Sequence, residues 1–168
     1  MERSSVAGVQ PDFEAYSPAG EEKPLAQYGV LMAVFNALCG GLLIGFRSRL
    51  PERFSAGDLA LLTIGTHKLS RLIAKDKVTS PLRAPFTRYE EDAGPSEVSE
   101  TPRGSGFRLA IGELISCPFC VTQWIAAVGL FGLAVAPRPT RFIASLFTVV
   151  SGADFLQIAY KAAQDKGL

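Results

Sequence analysis

The sequence predicts an all-α fold: an integral membrane helical domain of about four transmembrane or interfacial helices. Three observations carry that expectation. Hydrophobic residues make up 48% of the 168 residues and stand in blocks. The block from Tyr28 to Phe46 is apolar or Gly throughout except for Asn36, about the length that crosses a hydrocarbon core of roughly 30 Å as a helix. A Cys-Pro-Phe-Cys sequence, Cys117 to Cys120, leads into a further apolar run from Ile125 to Ala136.

Taken in chain order, residues 1–26 carry acids, Pro, Gly and Ser with few large aliphatics. Such a segment buries too little surface to offset its ordering entropy, so it reads as a flexible N-terminal tail ahead of a membrane helical domain over 27–168. Its polar start lacks the basic-then-apolar order of a signal peptide. The first helix, Tyr28 to Phe46, contains Gly40, Gly41 and Gly45, which permit close helix contact, and stops at Arg47-Ser48-Arg49 and Pro51. Cys39 lies alone within it and reads as a small apolar residue.

The second block, Ala56 to Lys75, is amphipathic. Leu61, Leu62, Leu69, Leu72 and Ile73 share one arc, with His67, Lys68, Arg71 and Lys75 roughly opposite. A central Leu or Ile favours insertion by about 0.5 kcal/mol and a central Lys opposes it by about 3 kcal/mol, so the block stands near balance. It reads as a span stabilised by its neighbours, with an interfacial helix as the other arrangement. Two prolines between Asp76 and Phe86 then rule out a continuing helix. Residues 89–106, acidic and rich in Gly, Pro and Ser, read as a flexible loop. Gln123 to Ala136 forms the third span, with Trp124 at interfacial depth. After Pro137 and Pro139, Phe142 to Tyr160 forms the fourth, interrupted by Asp154.

A four-span arrangement puts Arg3, Lys23, Lys75, Lys77, Arg83, Arg88, Arg103, Arg108, Lys161 and Lys166 on one side. Arg47, Arg49, Arg53, Arg138 and Arg141 fall on the other. The larger set marks the cytoplasmic face, so both termini and Cys117 and Cys120 are expected there, in a bacterial cytoplasmic membrane. The net charge is +1 and no basic tract is interleaved with aromatics, which argues against nucleic acid as a partner. The expected surroundings are a lipid bilayer, with a second copy or another membrane protein as partner.

Chemistry centres on Cys117 and Cys120. At a helix start, unpaired amides and the helix dipole favour the thiolate of the first cysteine. Glutaredoxins use the same tetrapeptide, but within a βαβ-type unit that has no counterpart here. One Cys-X-X-Cys supplies two of the four ligands of a structural zinc site. His67 is the one histidine, and Glu113 stands four residues before Cys117. The reading that weighs most is a compact cap with reduced, unreactive thiols, and no cofactor is expected; zinc enters only with the metal reading. His67, Lys68 and Arg71 read as a solvated or snorkelling polar face, with the lining of a polar cavity or a lipid-headgroup site as the other reading. Asp154, a carboxylate in an apolar stretch, is expected to face Lys68 or Arg71.

His67-Lys68-Leu69-Ser70-Arg71-Leu72-Ile73, Asp76, Pro81-Leu82-Arg83, Pro85-Phe86, Gly112-Glu113-Leu114, Cys117-Pro118-Phe119-Cys120 and Trp124 follow one another in this order. In that succession the chain resembles the bacterial membrane family called domain of unknown function 1360, over about residues 57–160. Some members carry a sporulation-protein label. The resemblance implies a small integral membrane protein and no reaction. The expected function is therefore a multi-pass membrane protein with a structural or interaction role. The alternatives are a membrane-tethered thiol–disulfide oxidoreductase, with Cys117 as nucleophile and Cys120 as resolving thiol, or a metal-binding protein using the same pair.

Overall fold

The computed structural model describes Tyr16 and residues 23–167. The chain is mostly helical, with one two-stranded sheet. Its elements are α1 (Leu25–Gly45), α2 (Ala56–Ala74), the short α3 (Ser80–Arg83), β1 (Thr87–Asp92), β2 (Val98–Pro102), α4 (Gly106–Ser116), α5 (Pro118–Val135) and α6 (Pro137–Asp165). Three of them, α1, α5 and α6, are long and apolar enough to cross a membrane.

The helix starts follow local chemistry. Ser55 caps α2 by accepting the Asp58 N–H at 3.0 Å, and Asp58 in the first turn complements the helix dipole. Pro118 and Pro137 stand at the first positions of α5 and α6, where the missing N–H costs no intrahelical bond.

Helix α2 packs between α5 and α6. Its buried positions are Gly65, Thr66, Ser70 and Ala74, so the contact depends on small side chains that let backbones approach. A Cβ at Gly65 would stand 3.0 Å from the Ala144 carbonyl oxygen, and one at Gly129 would stand 2.7 Å from Leu62 Cδ2. At one end of the α2–α6 contact Arg141 and Asp58 form two bonds of 2.8 Å. At the other, Lys68 Nζ lies 2.8 Å from Asp154 Oδ2. The two helices thus run in the same direction. Helix α1 lies at the edge, docked through Phe35 on Trp124 of α5 (ring centroids 5.0 Å, edge to face), and none of its residues is buried.

Several expectations need correction. Residues 89–106, read as a flexible loop, instead hold most of an antiparallel hairpin, so the fold is not purely α-helical. The hairpin is tied down at both ends. Its tip hydrogen-bonds to the residues just after α2 (Lys77 N–H to Ser96 O and Val98 N–H to Lys75 O, both 2.9 Å), and its base closes with Arg103 N–H to Phe86 O at 2.9 Å. Basic residues from outside the strands pair with three of its acids: Arg71 with Glu97, Lys77 with Asp92 and Arg83 with Glu100. The last helix extends over Pro137–Asp165 and not only over 142–160. The tail expected over 1–26 lies mainly outside the described residues, and its last two residues already belong to α1.

Candidate functional site

Cys117 stands at an elbow. Pro118 bars it from helical conformation, so it is extended (φ −102°, ψ 107°) and ends α4 while capping α5. Its Sγ accepts the Cys120 N–H at 3.3 Å, and Cys120 Sγ lies 2.8 Å from Cys117 Sγ, both thiols being free. Cys117 is half-buried, while Cys120 and the neighbouring Phe119 are exposed.

Glu113, one turn back on α4, accepts a hydrogen bond from Tyr28 of α1, and its Oε1 lies 3.7 Å from Lys23 Nζ. Because the helix breaks at Cys117, Glu113 and the cysteines do not share one continuous helix face. An open cleft of about 930 Å³ runs beside Glu113, between the start of α1 and the start of α4, with Gln27, Thr101 and Ser105 in its wall.

A zinc site on Cys117 and Cys120 needs His67 or a carboxylate as a further ligand, or the thiolates of a second copy. His67 is exposed on α2, and among the described residues no three His, Cys, Asp or Glu side chains gather in a way that could hold a metal ion. Of the two partners expected for Asp154, Lys68 is the one it meets, at 2.8 Å. Arg71 turns to the hairpin instead and holds Glu97 through two bonds of 2.9 and 2.6 Å.

The most enclosed charged group among the described residues is not one that the sequence singles out. Arg83 is 1% exposed and pairs with Glu100, whose side chain is 5% exposed, at 2.8 and 3.1 Å. Its remaining N–H groups reach Ile73 O (2.7 Å), Thr79 Oγ1 (2.6 Å) and Asp76 O (3.0 Å). Thr87 donates to Glu100 Oε2 at 3.0 Å. One guanidinium thereby fastens the end of α2, the turn after it and β2 together, with its donors satisfied as a buried charge requires. Burial pushes the Glu100 pKa up, but the hydrogen bonds from Arg83 and Thr87 outweigh it and hold the carboxyl below its ordinary value.

Asp76 is 7% exposed, and its Oδ1 is buried without a hydrogen-bond partner. Burial pushes its pKa up; Lys68 and Arg83 oppose the shift, while Glu97 and Asp154 add to it. Pro81-Leu82-Arg83 was noticed as a sequence string only. The usable signal was an Arg in a proline-bounded connection followed by acids on a segment with β-branched residues.

The family described as "Protein of unknown function (DUF1360)" matches residues 61–160, a range that takes in most of α2, the hairpin, the cysteine elbow and most of α6. The chain belongs to that family. It is also similar to "Sporulation protein YjcA" of Bacillus subtilis (strain 168), at 31% identity over 102 residues, covering 59% of this chain and 86% of that protein. No solved structure matches the chain.

Proposed function

We propose that this member of the DUF1360 family is a multi-pass protein of a bacterial cytoplasmic membrane with a structural or interaction role. The observation that carries the reading is the uncovered apolar surface of α1. The most apolar 18-residue stretch of this helix has a mean hydropathy of 1.8, and none of its residues is buried by the rest of the chain. Exposed apolar patches much beyond a few hundred Å² are uncommon on proteins surrounded by water and ordinary for helices in lipid. Val128 on α5 and Phe142, Val149 and Leu156 on α6 are likewise uncovered.

The arrangement of α2 supports four crossings over three. Although too polar to qualify by hydropathy alone, α2 lies alongside α6 from Asp58 to Lys68, and α5 packs against it as well. Neighbouring helices and the Lys68–Asp154 pair offset the cost of its cation. Four crossings put both termini, the hairpin and the cysteine elbow on the side richer in Lys and Arg, the cytoplasmic one. The printed name of the Bacillus subtilis relative ties that protein to sporulation and supplies no reaction.

Alkaline carbonate extraction and terminal reporters test the proposal together. The protein should stay in the membrane pellet, and a green fluorescent protein at either end should fluoresce. Release into the supernatant would refute membrane insertion. Alkaline phosphatase activity from a fusion at one terminus only would replace four crossings with three.

A further inference from the structure

We propose that Cys117 and Cys120 form a redox-active dithiol whose substrate is a disulfide, with Cys117 as the attacking sulfur and Cys120 as the resolving one. The inference goes beyond the structural role and rests on the membrane reading only for the compartment the thiols face.

Three observations carry it. The two sulfurs lie 2.8 Å apart, within an ångström of the bonding distance of about 2.05 Å. The Cys120 N–H and the Cys120 thiol both point to Cys117 Sγ, so the hydrogen bonds converge on the sulfur that must carry negative charge to attack. The pair is also accessible: Cys120 is exposed, Cys117 half-buried, and exposed Phe119 between them offers an apolar contact to an incoming partner. A cap whose thiols only filled space would enclose them.

The reaction is a two-step exchange. Cys117 thiolate attacks one sulfur of the substrate disulfide; a mixed disulfide forms, and the other substrate sulfur leaves as thiolate. Cys120, having given its proton to solvent, attacks Cys117 Sγ; the Cys117–Cys120 bond forms, and the second substrate thiolate leaves. The substrate gains two electrons and the dithiol loses two, while the released thiolates take up protons from solvent. A low-molecular-weight thiol returns the pair to the dithiol state by the reverse exchange. Glu113 is near enough to act electrostatically on Cys120.

The test uses full-length protein in detergent carrying Cys39→Ala, with carbonate extraction run separately on the same cells, so that failure of the membrane reading shows without touching the thiol result. The protein is equilibrated in mixtures of reduced and oxidised glutathione, quenched with iodoacetamide and mapped by mass spectrometry. A Cys117–Cys120 disulfide should appear as the mixture becomes oxidising. Cys120→Ser should accumulate glutathione on Cys117 about tenfold over the parent, because the resolving thiol is gone. Reduction of a disulfide-bonded test protein, without reaction with glutathione, would also uphold the site and assign its substrate to proteins. No internal disulfide in fully oxidised glutathione together with no reduction of the test protein would overturn the proposal, and the parent protein suffices for that reading if the serine variant does not fold. Mixed disulfide on Cys120 in Cys117→Ser, with none on Cys117 in Cys120→Ser, would overturn the assignment of roles. Near-stoichiometric zinc in the purified protein, released by either substitution, would overturn it in favour of a metal site.

Discussion

Lys68 of α2 and Asp154 of α6 meet at 2.8 Å where the two helices run side by side, and Lys68 is the more enclosed of the two. Each charge alone would be costly among apolar neighbours, and together they fix the register of one helix on the other. Asp154→Leu should therefore destabilise the protein in detergent by roughly 1–3 kcal/mol. Adding Lys68→Leu should restore part of the loss, because the stranded ammonium is removed. A double-mutant cycle on thermal unfolding measures the coupling. Additive losses would show that the pair does not hold α2 on α6.

The buried Arg83–Glu100 pair makes a sharper prediction. Arg83→Met leaves Glu100 buried without its cation and also releases Ile73 O, Thr79 and Asp76 O from their donor. Losing one partner of such a pair costs about 3–5 kcal/mol. Arg83→Lys should recover little, since an ammonium cannot make the forked contact. Limited proteolysis reads the effect directly, with early cleavage between residues 87 and 102 expected in both variants. Glu100 adds a pH dependence. Its folded pKa lies below the ordinary value, so its stabilisation is complete above the unfolded pKa and is lost as pH falls through the folded one.

The same two pairs mark how far the sequence was legible. A carboxylate and a cation inside apolar stretches are each expensive, so the need for a pairing at Asp154 could be read without a structure. Which cation it meets could not be read. The choice of Lys68 over Arg71 depends on Glu97, which sits on a segment that looked irregular. That segment was opaque because Arg88 to Asp92 are all exposed, leaving no buried–exposed alternation to mark a strand. Its order comes from Arg71, Lys77 and Arg83, contributed by neighbouring elements. The cysteine elbow was partly legible, since Pro118 announces a helix start, but the preceding helix α4 and its break at Cys117 were not.

Gly112 presents a different constraint. A Cβ there would lie 2.7 Å from the Phe86 carbonyl oxygen, a backbone atom that already accepts the Arg103 N–H. Gly112→Ala must push α4 away from the base of the hairpin, although alanine favours the helix intrinsically. The steric cost should win by about 1–3 kcal/mol. A lowered melting temperature with unchanged helix content would agree, whereas a variant as stable as the parent would show that this contact yields easily.

Asp76 should reveal itself through pH. Its buried Oδ1 has no donor, and burial pushes its pKa above the ordinary value despite Lys68 and Arg83, with Glu97 and Asp154 reinforcing the shift. For a raised carboxyl, the associated stability is full below the unfolded pKa of about 3.9 and is lost as pH rises through the folded value. Ionisation as pH rises through the folded value therefore weakens the fold. Asp76→Asn removes the charge with little change in shape, and the side chain has no capping bond to lose. The variant should be more stable than the parent at pH 7 by on the order of 1 kcal/mol, with the difference shrinking toward zero as pH drops below about 4. Glu100 and Asp92, whose pKa values are lowered, act in both proteins and cancel in the comparison. Paired thermal melts across this range decide the matter. A variant less stable at neutral pH, or a difference that grows on acidification, would mean that the ionised carboxylate holds this corner of the fold together.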